Sequence, residues 1–331
     1  MPKLSSAGTM EPTTATFFDL VRDDLPDVEA RMRRAPDGGP SRLEGAIEHL
    51  LKSGGKRLRP TLVLLIGRML SADRDSLINL AASIEMLHTA TLVHDDLIDG
   101  ALVRRGLPTL NAQWTAGATV LTGDYVFARA AHLASQIGSL PLMEQFARTL
   151  MVIVQGEITQ IFRDGNPDPR QAYYDRIYAK TASLFEMATR GAAMLSPVGD
   201  GGLEAMRRFG YHLGMAFQIV DDSLDFIGDA AQVGKPVGSD LRQGLITLPT
   251  LFYAETQERP DLLASLQNGR LEPSEIGTLV EAVRQSGAVD LALEEARRTT
   301  TIAETFLSGM PDTPERAALY QAARYVVDRT L

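Results

Sequence analysis

The sequence predicts an all-α fold, a helical bundle around a central cavity, on three observations. From Ala15 onward the apolar residues recur at helical spacing nearly throughout, and runs of strand-like alternation are missing. Two acid-rich segments, Asp95-Asp96-x-x-Asp99 and Asp221-Asp222-x-x-Asp225, each end an otherwise apolar stretch. They lie far apart in the chain yet carry the same chemistry, and a bundle is the simplest fold that lets them face each other across one cavity.

Element by element, residues 1–14 are Ser/Thr/Pro-rich and expected to be disordered. Pro60 suits the first turn of a helix from about 60 to 71. A long buried helix is expected over 75–99, because SLINLAASIEMLHTATLV carries almost no charge and neither Pro nor Gly. A loop around Pro108 follows, then helices over 114–138, 141–163 and 170–195, with breaks at Gly138-Ser139 and at 164–169. SPVGDGG precedes a helix over 203–228, which carries the second acidic segment. The remainder reads as shorter helices separated by Pro260, Pro273, Gly287 and Pro311. With no long linker and no repeat of fixed period, residues 15–331 are expected to form one domain.

Composition narrows the function. A 331-residue chain with 44% hydrophobic and 23% charged residues supports a substantial core. A net charge of -9 argues against a nucleic-acid partner. The lack of cysteine excludes disulfides and thiolate zinc sites. No apolar run reads as long enough for a membrane span, and residues 1–17 lack the hydrophobic stretch of a signal peptide, so the cytoplasm is the expected location.

Asp95 and Asp99, four residues apart, lie on one helix face, where like charges beside a core repel and are costly to desolvate. A divalent cation cancels both penalties, and carboxylate oxygens are what Mg²⁺ prefers. Gly100 then breaks the helix, and Arg104-Arg105 supply fixed positive charge; in the second segment Lys235 follows. One such segment alone is more often a solvated helix end. Its recurrence in apolar surroundings, each time trailed by a cation, points to a metal–phosphate site.

Other motifs are weaker. Lys56, Arg57 and Arg59 behind Gly54-Gly55 read equally as a basic turn at a helix start or as a second anion pocket. A Walker A loop is excluded: the first Gly lies too near the Lys and no Ser/Thr follows it. His88 lies two helical turns before Asp95 on the same face and reads as a core histidine or a site residue. Glu85-x-x-His88 raises a di-iron bundle, which fails for want of a second copy. Lys180-Thr181 and Gln218 suit phosphate donation, although a lysine in an apolar helix also snorkels.

GGKRLRP, HTATLVHDDLIDGALVRRGLP, KTASLF, FQIVDDSLDF and GKPVGSDL occur in the order seen in trans-isoprenyl diphosphate synthases, and the chain resembles that family from about residue 40 to 250. The resemblance implies an isoprenoid-synthase-type bundle, usually a homodimer, that joins isopentenyl diphosphate to an allylic diphosphate by ionisation, condensation and elimination. It implies Asp95, Asp99 and Asp221 as principal Mg²⁺ ligands, with Asp96, Asp222 and Asp225 completing or supporting the cluster. Arg104, Lys180, Thr181, Gln218 and Lys235 would aid in holding the allylic diphosphate. Lys56, Arg59, His88 and Arg105 would hold isopentenyl diphosphate. No side-chain general base is evident, which suits proton loss to the departing diphosphate. One departure is Leu245, where many members carry a basic residue; Arg242 is the candidate substitute.

The growing tail is expected to run from Asp95 back along its helix. Thr91 and Ala90, roughly 6–8 Å along the axis, are small, whereas short-chain members commonly place an aromatic there. Leu87 and Ile84 come next and Phe146 would form a floor, so the expected product is longer than geranylgeranyl diphosphate, and Ala90→Phe is expected to shorten it. A geranylgeranyl or farnesyl diphosphate synthase is the alternative. A class I terpene cyclase is disfavoured by the second DDxxD, and a non-catalytic subunit by the presence of both motifs. A catalytic subunit active only in a heterodimer stays open.

Overall fold

The structure, a computed structural model, describes residues 16–34, 41–52, 54–162, 164–227, 237–267 and 272–329. The N-terminal segment expected to be disordered and Lys235 lie outside the described residues. Helices α1 (Leu25–Arg33), α2 (Ser41–Lys52) and α3 (Leu58–Met69) lead into α4 (Arg74–Ile98). Strands β1 (Val103–Arg104) and β2 (Leu107–Pro108), α5 (Leu110–Gln113), α6 (Ala116–Ser135) and α7 (Leu140–Phe162) follow. Then come α8 (Pro169–Ile177), a π-helical turn (Tyr178–Ala182), α9 (Ser183–Met194) and α10 (Asp200–Ile227). The C-terminal part holds the helices Ser239–Arg242, Leu248–Thr256, Pro260–Gln267, Pro273–Gln285, Ala288–Thr305 and Pro314–Asp328.

Local chemistry sets the helix starts. Asp73 caps α4 by accepting from the Ser76 N–H at 2.9 Å, and Thr115 caps α6 by accepting from the Ala118 N–H at 3.3 Å. Pro169, Pro249, Pro273 and Pro314 occupy first-turn positions, so Pro273, read as a separator, in fact begins a helix.

Two cores form. In the larger, Leu62, Leu64, Leu65 and Ile66 of α3 and Leu80, Ile84 and Leu87 of α4 pack with α6, α9 and the first half of α10; all seven are fully buried. Each contributes about 1.5–3 kcal/mol. The smaller core joins α8 and the second half of α10 to the helices between 248 and 305, through Tyr173, Ile219, Val220, Phe226 and Leu251. Thus α10 spans both cores, and its acidic segment lies in the half that faces the smaller one. Gly214 permits this closeness: a Cβ there would lie 2.6 Å from the Ala182 Cα, so only glycine lets α10 approach the π turn.

Two sequence expectations are corrected. By length and composition α4 could cross a membrane, with a mean hydropathy of 1.2 over 18 residues, but 72% of that window is buried in the core, which explains its apolarity. The stretch around Pro108 is not a plain loop: Arg104 pairs with Leu107 across a hairpin. Its two turn residues, Arg105 and Gly106, have φ +50° and +77°, the left-handed pair of a type I′ turn. Strands this short leave no alternation to read.

Candidate active site

Both acidic segments lie at helix C-termini, the negative end of the helix dipole, where each carboxylate is disfavoured by about 0.3–1 kcal/mol. A carboxylate there needs compensation from outside its own helix. On the α4 wall, Asp95 faces Lys180, whose Nζ lies 3.6 Å away and pairs at 2.9 Å with Glu157 of α7. Burial pushes the Asp95 carboxyl up to about 6, with Glu157 and Asp99 adding to the rise and Lys180 opposing it. Burial would lower the Lys180 ammonium, but Asp95 and Glu157 outweigh it and hold its pKa above the usual value. Asp99 caps the helix and is exposed. Asp96 turns to the other side, where Arg104 Nε donates to it at 2.8 Å. Asp96 therefore holds an arginine rather than joining Asp95 and Asp99.

On the α10 wall, Asp221 pairs with Arg329 at 2.8 Å, and burial raises its pKa against the opposing pull of Arg329, Arg59 and Arg105. Asp222 is buried and accepts from Tyr173 (2.9 Å) and Gln218 (2.7 Å); burial and nearby Asp240 push it up to about 7. Asp225 accepts from Ser239 Oγ (2.7 Å) and the Asp240 N–H (3.0 Å), so it ties down the start of the Ser239–Arg242 helix. As a bloc, then, the expected carboxylate cluster is not preassembled. Asp95 pairs with Lys180, Asp221 with Arg329, and Asp99 is exposed, whereas Asp96, Asp222 and Asp225 each brace a neighbour.

The two walls meet at the π turn. One extra residue per turn there re-aims Lys180 and Thr181, and π insertions of this kind recur at functional sites. Thr181 Oγ donates to the Gln218 carbonyl oxygen at 2.6 Å, tying the turn to α10, while Lys180 reaches across to α4.

Cations gather above α4. Arg57 and Arg105 both adopt left-handed backbone, at φ +53° and +50°, a cost tolerated where function or tight packing demands it. Arg57 is buried against Glu85 at 2.9 Å, and the Arg105 guanidinium lies over Gly55, where a Cβ would come within 2.9 Å of it. Arg59 stacks 4.5 Å above the Phe185 ring; burial lowers its pKa to about 10, against the pull of Glu85 and Asp221, and its buried Nε has no hydrogen-bond partner among the described residues. Burial, and then Arg59 and Arg105, push His88 well below its usual range, so the imidazole is neutral. Lys56 donates to the Tyr325 hydroxyl and lies 5.0 Å from that ring. His88, Gly54, Gly55, Arg104 and Arg105 line a cleft together with Leu50, Leu92 and Leu110. A guanidinium whose buried Nε finds no acceptor among the described residues, with further cations around it in a chain of net charge -9, has the chemistry to take an anion.

The donor set fits a hard dication: carboxylate oxygens on two walls, with Asp95 and Asp221 both raised because their charge is under-compensated. Among the described residues no three acidic or histidine side chains surround one point. Water and phosphate oxygens would have to complete the coordination, as Mg²⁺ prefers.

The chain-length expectations fare unevenly. Ala90, Leu87, Ile84 and Phe146 are buried in the larger core, with Phe146 stacked on Phe127 at 6.2 Å. Thr91 Oγ donates to the His88 carbonyl at 2.8 Å. Five residues of α-helix rotate by about 140°, so Ala90 points away from the face of Asp95, whereas Thr91 is only about 40° off. None of the five residues lines the cleft or the smaller cavity formed by Ile47, Leu51, Met86 and Val126. Near Leu245, exposed Arg242 donates to the Val237 carbonyl at 3.2 Å, and Arg176 donates to the carbonyl of Ile246 at 2.7 Å, which makes it a second candidate substitute cation. The sequence reading missed Glu157, Tyr173, Arg176 and Arg329. Glu157 had a signal, as a lone carboxylate in the apolar VIVQGEITQIF; Arg329 had none.

Comparison with known proteins agrees with this arrangement. The family model for polyprenyl synthetase matches residues 40–283. The chain is 36% identical over 314 residues to heptaprenyl diphosphate synthase component 2 of Geobacillus stearothermophilus, covering 95% of this chain and 98% of the relative. It is 39% identical over 287 residues to an all-trans-nonaprenyl-diphosphate synthase (geranyl-diphosphate specific) of Rhodobacter capsulatus, covering 85% and 87%. A polyprenyl synthase from Caulobacter crescentus CB15, solved with calcium and isoprenyl diphosphate, superposes with a TM-score of 0.85 at 34% identity, covering 95% of this chain and 97% of that one. With two acidic walls, a π turn between them and a cationic cleft above, this chain belongs to the polyprenyl synthetase family.

Proposed function

We propose that the chain is a Mg²⁺-dependent prenyltransferase that condenses isopentenyl diphosphate with an allylic diphosphate, giving a trans-polyprenyl diphosphate longer than geranylgeranyl. The observation that carries the reading is the meeting of Asp95, Lys180 and the Asp221 wall at the π turn, below a separate cationic cleft. Two anion-binding regions of unlike character suit two diphosphates with unlike fates. In this reading Asp95, Asp99 and Asp221 hold the metal, which when bound neutralises the leaving diphosphate. Lys180 and Gln218 orient that diphosphate, with Thr181 beside them, whereas Arg104 is held by Asp96 and lines the cationic cleft. The second substrate is held by Arg59, whose free Nε points to a missing acceptor, with Lys56, Arg105 and neutral His88. The Phe185 and Phe217 rings, 5.1 Å apart beside Arg59, give a dry wall near the reacting carbons. Mg²⁺-dependent incorporation of labelled isopentenyl diphosphate, lost in Asp95→Ala, tests the proposal; full activity in that variant would refute it.

The product length rests on the heptaprenyl and nonaprenyl products named for the relatives and on the small Thr91 on the Asp95 face. We also propose a homodimer. Met151, Val154, Ile158, Ile161 and Phe162 form an exposed apolar stripe at helical spacing on α7, beside exposed Leu121 on α6. Ile158→Glu should convert a dimer to a monomer in sedimentation; a wild-type monomer would refute the assembly. One observation favours a second reading. The relative at 36% identity is named as a component of a synthase, which makes a different chain the partner of this stripe in that reading, with catalysis needing both. As for location, we place the protein in the cytoplasm, where soluble family members with water-soluble diphosphate substrates work. We take residues 15–331 as one catalytic domain.

A further inference from the structure

Asp222 belongs to the second acidic segment by sequence, yet its two oxygens are committed elsewhere. Tyr173, fully buried on α8, donates its hydroxyl to Oδ2 at 2.9 Å, and Gln218 donates its amide to Oδ1 at 2.7 Å. The Gln218 carbonyl in turn accepts from Thr181 at 2.6 Å. The order of donors fixes the amide. Thr181 Oγ donates to the Gln218 oxygen while Asp222 Oδ1 accepts from the Gln218 NH₂, so the amide nitrogen faces Asp222 and its oxygen faces Thr181. Among the described residues one amide N–H is then left over. Were Asp222 free to turn, the amide could reverse and present its oxygen instead, which repels an anion.

We propose that Tyr173 is a positioning residue for the allylic-diphosphate subsite: by anchoring Asp222 it sets the orientation of Gln218 and, through it, Thr181. This rests on the reading of the site given above. Tyr173 itself stays out of reach of substrate. Its ring is held independently, 5.5 Å from Tyr174 and 5.4 Å from the Arg176 guanidinium, so loss of the hydroxyl alone leaves the packing in place.

The test is steady-state kinetics of Tyr173→Phe with each substrate varied in turn. Loss of an outer-shell partner should raise the KM for the allylic diphosphate roughly tenfold and leave the KM for isopentenyl diphosphate unchanged. Asp222→Asn, which can donate to Gln218 and so invite the reversed amide, should give the same one-sided rise, and it carries the test should Tyr173→Phe fail to fold. Equal shifts in both KM values, or a loss confined to kcat, would mark a structural role and overturn the proposal. So would an unchanged allylic KM in an active Tyr173→Phe enzyme. A wild-type protein that neither turns over nor binds inorganic pyrophosphate with Mg²⁺ would instead remove the reading of the site itself.

Discussion

Glu85→Gln is the perturbation whose magnitude follows most directly from the structure. Arg57 and Glu85 pair at 2.9 Å with only 11% and 7% of their side chains exposed. Removing one partner of such a pair leaves a charge buried, at a cost of about 3–5 kcal/mol. Two features favour the low end: glutamine keeps an acceptor oxygen, and Glu29 remains 3.5 Å from the Arg57 Nε. We therefore expect about 3 kcal/mol, which for a chain of this size lowers Tm by roughly 6 °C at about 2 °C per kcal/mol. The same change releases Arg57 from its left-handed anchor and loosens the Gly54-Gly55 turn beneath Arg105, so the KM for isopentenyl diphosphate should rise. Replacing both residues by leucine should recover most of the stability without restoring that KM. Calorimetry reads the first effect and kinetics the second. A Glu85→Gln Tm within about a degree of wild type would refute the argument that this pair holds the turn.

Three further outcomes follow from the same geometry. Because Asp95 is raised to about 6, Mg²⁺ affinity measured by titration calorimetry should be flat above pH 7 and fall about tenfold per unit below pH 6. A raised carboxyl stabilises the metal-free fold fully below its unfolded value near 4 and loses that contribution as pH rises through 6, so Mg²⁺ should stabilise the protein more at pH 8 than at pH 5; equal gains would be contrary to this. Thr91→Phe, on the face of Asp95, should shorten the product, whereas Ala90→Phe, turned into the larger core, should chiefly cost about 1–3 kcal/mol of stability; chromatography of the products and thermal melts separate the two. Leu245→Lys should lower the KM for the allylic diphosphate, and an unchanged value would mean that Arg176, bonded to the neighbouring Ile246 carbonyl, already serves.

What the sequence disclosed follows how local each signal is. The acidic segments were legible because carboxylates at apolar helix ends are conspicuous within a few residues, and α4, α7 and α10 announced themselves by period and breaks. The roles inside those segments were not, because partners arrive from afar: Tyr173 bonds Asp222 across 49 residues. Arg329 reaches Asp221 from the far end of the chain. Lys180 read as either a snorkelling lysine or a phosphate donor, and its pairing with Asp95 at the π turn was not legible. Distance along a helix says nothing of the side on which a residue falls, so the sequence reading took Thr91 and Ala90 together although about 100° separates them.

The central claim is most directly tested by the product that the purified chain makes by itself from farnesyl diphosphate, isopentenyl diphosphate and Mg²⁺, sized by mass spectrometry. The account predicts a ladder of polyprenyl diphosphates ending beyond geranylgeranyl. A ladder stopping at or before geranylgeranyl would contradict the product length, and no elongation at all would contradict a catalyst complete in this one chain.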